Sequence, residues 1–260
     1  MNSFKDIAIN YWLGYTFLPS ITRVKLLKEY GFNSVEIYWT NEYQELNGDK
    51  YEIANNCIKY GISIDCLHAT FNRANLLWVD SLDGEKLFNE YMQTILDAKN
   101  LNCRIVVIHA NGKGDSKVFL KRINKLNDFA KKIGVTLCVE NLQHNDNIEF
   151  VCQKTNLSLC FDAGHYNINQ SKIILKHLKR VKYIHIHDND GKHDLHLIPG
   201  DGHINFNDKT LSKILTLDCP KLLEVHDFPQ DPMSKEEYEK YLKKVSLFLK
   251  TEDCFVERLY

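Results

Sequence analysis

The chain has no CxxC pair, no long apolar run and almost no net charge; the first two absences argue against whole classes of function and the third removes only a bulk charge attraction. Its eight cysteines stand at 57, 66, 103, 138, 152, 160, 219 and 254. With none spaced as a pair, neither a zinc ribbon nor a dithiol redox motif is expected. Cys66, Cys103, Cys138 and Cys160 lie in or beside apolar runs and read as buried free thiols of a reducing compartment. No apolar stretch approaches the roughly 18 residues that a membrane-spanning helix needs. The opening MNSFKDIAIN lacks the basic, apolar and small-residue regions of a signal peptide. The expectation is therefore a cytoplasmic protein without a membrane partner. A net charge of -1 gives no bulk attraction to nucleic acid. Five prolines and twelve glycines in 260 residues leave no Pro/Gly-rich hinge, so one domain is expected over 1–260. Nothing in the sequence fixes an oligomeric state.

What the chain does have is an alternation of short β-type runs with amphipathic stretches, repeated about eight times. Strands are predicted at 6–10, 34–38, 63–68, 104–109, 136–140, 157–162, 182–188 and 221–225. Helical spacing is found over 21–31, 51–61, 82–101, 117–134, 147–154, 169–180, 207–217 and 233–250, with Gly31 and Gly61 as natural stops. Strands separated by helices pair in parallel through right-handed crossovers. Eight such units in this length predict a single-domain (β/α)8 barrel, an α/β fold. An open doubly wound sheet would carry a Gly-rich turn after its first strand, and NYWLGY is not one.

The strand ends carry the chemistry. CLH ends in His68, VVIH in His109, CVE in Glu140, CFDAGH in Asp162 and His165, YIHIHD in His185 and His187, DLH in Asp194 and His196, and LLE in Glu224. A parallel barrel gathers all of these on one face. Glu140, Asp162, His185 and Glu224 come from four successive strands and make a donor set that suits Mn²⁺, Mg²⁺, Co²⁺ or Zn²⁺. Such a metal can polarise a carbonyl while a glutamate moves a proton on the adjacent carbon. His68, His109, His165, Asp194 and His196 raise the donor count to nine, more than one ion can use and enough for two or three. For His68 and His109 a structural or substrate-contacting imidazole is equally open. His187 faces the same way as His185 by strand alternation and is read as orienting a ligand or substrate. His144, His177, His193 and His226 carry no role in this reading. In IPGDGHINF, Gly200 and Gly202 form a tight turn whose N–H groups could meet an anion, or simply lead into the next helix. Arg73 is a candidate contact for a phosphate or terminal hydroxyl. Tyr38, Trp39 and Phe71 are candidates for an aromatic wall.

From GFNSVEIY to LLEVHD the chain resembles the xylose-isomerase-like TIM barrels, a superfamily of sugar and sugar-phosphate isomerases and epimerases that also includes the endonuclease IV type of AP endonuclease. The most specific stretch is YIHIHDNDGKHDLHLIPGDGHINF, supported by VENLQ and FDAGHYN. The isomerase branch implies one metal on Glu140, Asp162, His185 and Glu224, with Glu140 and Glu224 as the acid/base pair on opposite sides of the substrate carbon. The endonuclease branch implies three zinc ions on His68, His109, Glu140, Asp162, His165, His185, Asp194, His196 and Glu224. All nine positions match by residue type. The chain departs from the endonuclease pattern elsewhere. ATFNRANL replaces the aromatic-aliphatic pair after the third strand, and HANGKG lacks the usual proline. The strand-seven stretch is short of the basic groups that dominate DNA affinity.

The expectation is thus a divalent-metal-dependent isomerase or epimerase acting on a small sugar or sugar phosphate through an enediolate-like intermediate. The alternative is a zinc-cluster phosphodiesterase, and nucleic acid is a partner only under that alternative.

Overall fold

The computed structural model describes residues 7–14, 16–41, 48–144, 147–227 and 231–251. Eight strands, β1 (Ile7–Asn10), β2 (Ser34–Trp39), β3 (Ser63–Ala69), β4 (Ile105–Ile108), β5 (Thr136–Glu140), β6 (Ser158–Asp162), β7 (Val181–Ile186) and β8 (Lys221–Leu223), pair in sequence order into a closed barrel. Every pairing is parallel, and β1 closes on β8 with Ala8 opposite Leu222. The expected (β/α)8 architecture is what the chain forms. Asp6, expected to begin the first strand, and Cys254 lie outside the described residues. Among the described residues no helix is long and apolar enough to cross a membrane.

Helices cover the barrel where the sequence spacing predicts them, and their ends follow local chemistry. Asp49, Ser81, Asp115 and Asp208 each accept backbone N–H bonds at the first turn of the helix that follows. The helix Ser116–Ile133 stops at Gly134, whose φ of 80° is left-handed. One expectation is corrected. The helix expected over 169–180 is instead an α-helix at Ala163–Asn169 followed by a 3-10 segment at Ile174–Arg180. Asp162 caps the earlier helix by accepting the His165 N–H at 2.5 Å, and Gln170, at a φ of 50°, ends it. A further 3-10 segment at Ala74–Trp78 was not expected.

Side chains inside the barrel fall into tiers two residues apart, the period of a strand. Below the strand ends lies a buried apolar plug of Ala8, Cys66, Val107, Cys138, Cys160, Tyr183 and Leu222, with Ile105 one step deeper on β4. Two residues further along the same strands stand Asn10, His68, His109, Glu140, Asp162, His185 and Glu224. The intervening residues Ile9, Leu67, Ile108, Val139, Phe161, Ile184 and Leu223 belong to the larger cluster that packs strands on helices. Cys66, Cys138 and Cys160 are thus small fillers of the barrel plug, and burial pushes the Cys138 thiol well up. They are free and buried, as expected, and far from reactive.

Candidate metal centre

The second tier meets at His185. Its Nδ1 lies 3.0 Å from Glu140 Oε1, 2.9 Å from Glu224 Oε2 and 3.8 Å from Asp162 Oδ2. One N–H cannot serve three buried carboxylates, and Asp162 Oδ2 is fully buried with no hydrogen-bond donor. Donor atoms of Glu140, Asp162, His185 and Glu224 all lie within 4.8 Å of one another. An excess of buried negative charge converging on one point, with an orphaned carboxylate oxygen, fits a divalent cation.

Glu140 also reaches a second group. Its Oε2 lies 3.1 Å from His68 Nε2 and 3.0 Å from His109 Nε2. A third group forms around Asp194, whose Oδ2 lies 3.0 Å from His165 Nε2 and 3.3 Å from His196 Nε2. All nine sequence-predicted ligands are therefore gathered in three adjoining clusters, with Glu140 shared by two.

The imidazoles are oriented in advance. His68, His165 and His196 each place Nδ1 2.9 Å from a backbone carbonyl, those of Ala69, Asn141 and Glu224. With that nitrogen donating, Nε2 is the nitrogen left to face the cluster, donating to a carboxylate while it is protonated and offering its lone pair where a metal displaces that proton. Asn141 holds a second member as well: its amide donates to the Asp162 carbonyl at 3.0 Å and accepts the Asp162 N–H at 2.9 Å. His196 has a left-handed backbone, φ 47°, uncommon outside glycine. It is held there between the Asp188–Leu197 bridge and the Glu224 carbonyl.

Electrostatics agree with a site built for positive charge. Burial works against the charge on Glu140, yet His185 and the His109 and His68 contacts outweigh it and hold the carboxyl well below the usual range. Burial likewise presses His185 down, and the surrounding acids, among them Glu224, Glu140 and Glu36, raise it well above the ordinary histidine value. His165 behaves in the same way through Asp162 and Asp194. His196, despite burial, is raised to about 9 by Asp194 and Glu224. Protons on these imidazoles occupy the place a metal would take.

Two residues that sequence reasoning passed over line the site. Glu36 on β2 is buried inside the barrel with Oε2 3.2 Å from His185 Nε2, the nitrogen pointing away from the cluster. A charged residue between Val35 and Ile37 in an apolar strand was the available signal. His226, expected to be incidental, lines the cavity 4.5 Å from the His196 ring, and burial lowers it to about 3. It stands two residues past Glu224, on the same inward side.

Other expected contacts are engaged elsewhere. Arg73 pairs with Glu90 at 2.7 Å on the surface and is not part of the cavity wall. The Gly200 and Gly202 amides do meet an anion, but it is the chain's own Asp188, at 2.9 and 3.1 Å. Trp39 is buried against Asp97 through its indole N–H. Tyr38 and Phe71 do form a wall, with ring centres 5.0 Å apart. Above the donor cluster opens a cavity of about 890 Å³. Trp12, Tyr38 and Phe71 line one part of it, and Asn111, Lys113 and Gln143 another. Among the described residues Lys113 is its one lysine and no arginine lines it.

The profile of the xylose isomerase-like TIM barrel family matches residues 24–245. The chain belongs to that family. Among curated proteins, this xylose isomerase-like barrel is similar to the uncharacterized protein MJ1614 of Methanocaldococcus jannaschii, 29% identical over 160 residues, which are 55% of this chain and 62% of the relative. The match therefore spans less than two thirds of that relative's length. Solved structures share the fold. The IOLI protein with a bound zinc atom superposes with a TM-score of 0.72 at 18% identity, covering 98% of this chain and 99% of that one. D-psicose 3-epimerase with D-tagatose from Clostridium cellulolyticum H10 gives 0.69 at 14% identity, covering 96% and 99%.

Proposed function

We propose that the chain is a divalent-metal-dependent isomerase or epimerase acting on a small neutral sugar. The observation that carries the reading is the placement of Glu140 and Glu224. They rise from β5 and from the end of β8, with β6 and β7 between them, and bring one oxygen each to 3.0 and 2.9 Å from the same His185 nitrogen. A substrate carbon above that point lies between two carboxylates. Glu140, Asp162, His185 and Glu224 would hold the metal, with Mn²⁺, Mg²⁺, Co²⁺ and Zn²⁺ all suited to the donors. A bound divalent ion supplies positive charge beside the substrate's carbonyl and neighbouring hydroxyl oxygens. One glutamate takes the proton from the carbon next to the carbonyl, and the C–H electron pair enters the C–C double bond of an enediolate. The carbonyl π pair moves onto its oxygen. The other glutamate, which must enter the turnover protonated, gives that proton to the opposite face as the oxygen pair re-forms the carbonyl, inverting the carbon; proton exchange with water then resets the pair. Which glutamate acts first depends on the configuration of the substrate.

The cavity supports a neutral substrate over a phosphorylated one. Among the described residues it offers a single lysine, Arg73 is spent on Glu90, and the Gly200–Gly202 amides are spent on Asp188. The aromatic wall of Trp12, Tyr38 and Phe71 suits the C–H face of a sugar and excludes water. That D-psicose 3-epimerase binds D-tagatose in the same fold is consistent with this substrate class. The test is ¹H NMR of neutral ketoses in deuterated water with metal-loaded protein, read for loss of the proton next to the carbonyl.

A second reading, a zinc-cluster phosphodiesterase acting on abasic DNA or a smaller phosphoester, is favoured by one observation. His68 and His109 converge on the second oxygen of Glu140, and His165 and His196 on Asp194, as in a site for two or three ions. Elemental analysis showing two to three zinc ions per chain, with cleavage of abasic DNA or a small phosphodiester, would select it.

A further inference from the structure

The third tier of the barrel contains Gly164, two residues past Asp162, and His187, two residues past His185. Asp162 and His185 face each other across β6 and β7. We infer that His187 and Gly164 work as a pair that determines which oxygen of Asp162 is offered to the metal. The inference rests on the metal-centre reading above. A Cβ on residue 164 would lie 1.9 Å from His187 Cε1 and 2.3 Å from its Nε2. The imidazole therefore sits in the room that any other residue at 164 would fill, and it is fully buried there.

From that place His187 Nε2–H donates to Asp162 Oδ1 at 3.1 Å. The same oxygen accepts the His165 N–H at 2.5 Å. With two donors on Oδ1, Oδ2 alone is free of hydrogen bonds and turned toward His185 Nδ1. Asp162 is thus prepared as a one-oxygen ligand.

His187 could instead be a ligand, since a ring nitrogen lies near donor atoms of Asp162 and His165 and of His196 and Glu224. Its other nitrogen argues against that role. In His68, His165 and His196 the Nδ1 is tethered to a carbonyl, which frees Nε2 for a metal. His187 Nδ1 is buried with no partner. Binding a metal through Nε2 would put the proton on Nδ1 and leave a buried N–H unsatisfied, the costlier kind of orphan. A proton on Nε2 leaves only a bare acceptor and supplies Asp162 with a donor. His187 is a positioning residue. Its ring also lies on that of His196, 4.1 Å away and 20° from parallel, so one side chain braces both the Asp162 and the Asp194 clusters.

The experiment is Co²⁺ titration of the metal-free protein, following the visible absorption of the bound ion in competition with a chelator, beside the thermal melt of each metal-free variant. His187→Ala is expected to weaken Co²⁺ binding by roughly 10–100-fold, as loss of a ligand's hydrogen-bond partner does, and to alter the spectrum. Gly164→Ala, which evicts the ring, should produce the same loss. The double variant should be no worse than His187→Ala alone, and His187→Gln, which retains an N–H donor, should recover part of the affinity. Wild-type affinity and spectrum in both single variants would overturn the inference while leaving the metal centre intact. Loss of one whole ion with the others unaffected would make His187 a ligand and also overturn it. A wild-type protein that takes up no Co²⁺ would remove the metal reading itself and the inference with it.

Discussion

Glu140 Oε1 stands 3.0 Å from His185 Nδ1, while its Oε2 turns away to meet His68 and His109. One carboxylate therefore joins two donor clusters, and its removal should be felt in both. Glu140→Gln keeps the shape and removes the charge. Metal content by elemental analysis is expected to fall to a small fraction of wild type. Turnover should fall by roughly 10²–10⁴, the usual contribution of a positioned acid/base group. Glu224→Gln should lower turnover comparably but leave the His68–His109 side of the centre unchanged.

The metal-free protein should lose stability as pH rises above neutrality. His196 is raised to about 9, with Asp194 and Glu224 overcoming its burial, and His165 and His185 are raised as well. A raised folded-state value adds stability that is complete below the unfolded histidine value of about 6.5 and is lost as pH climbs through the folded value. The melting temperature of chelator-treated protein should therefore fall between about pH 6.5 and 9. A bound divalent ion takes over from those protons, so metal-loaded protein should show a flatter profile, and metal affinity should rise over the same interval. Differential scanning calorimetry with and without metal checks both.

Asp188 should prove structural. Its carboxylate, fully buried, accepts the N–H groups of Asn189, Gly200, Gly202 and Ile204. Asp188→Ala orphans all four, at about 1–3 kcal/mol for each that stays buried and unpaired. Urea denaturation should show a loss of several kcal/mol. Hydrogen exchange should show faster exchange across 188–204, the segment that carries Asp194 and His196.

Phe71 presents a half-exposed ring to the cavity, stacked on His109 with centres 5.0 Å apart. If this wall receives the apolar face of a sugar, Phe71→Ala should raise KM about tenfold and leave metal content near wild type. Steady-state kinetics with metal analysis separates that outcome from damage to the centre.

The barrel was legible because period and punctuation agreed in most units: a short apolar run, six of the eight with His, Asp or Glu at or just past the end, then an amphipathic stretch. Six of the nine His, Asp and Glu side chains could be read for the same reason, standing at or just past strand ends; His165 lies in the short helix after Asp162, and Asp194 and His196 lie in the connection after β7. Glu36 escaped because it sits in mid-strand, where SVEIY reads as strand before it reads as a site. His226 escaped because its meaning lies in its spacing from Glu224, two residues on. The break at Gln170 was hidden because Asp162, read as a metal donor, is also the cap of an unexpected short helix. Arg73 and the Gly200–Gly202 turn show the opposite limit. Both have the chemistry to bind an anion, and tertiary contacts with Glu90 and Asp188 supply one from within the chain.

The central claim is proton transfer at a sugar carbon between Glu140 and Glu224. The most direct measurement is ¹H NMR of a panel of neutral ketopentoses and ketohexoses in deuterated water with metal-loaded wild type, Glu140→Gln and Glu224→Gln. The account predicts that wild type incorporates deuterium next to the carbonyl of at least one sugar, with a new epimer or isomer appearing, and that both variants fail to do so at a comparable rate. No exchange with any member of the panel by fully loaded protein, together with cleavage of a phosphodiester by the same sample, would contradict it.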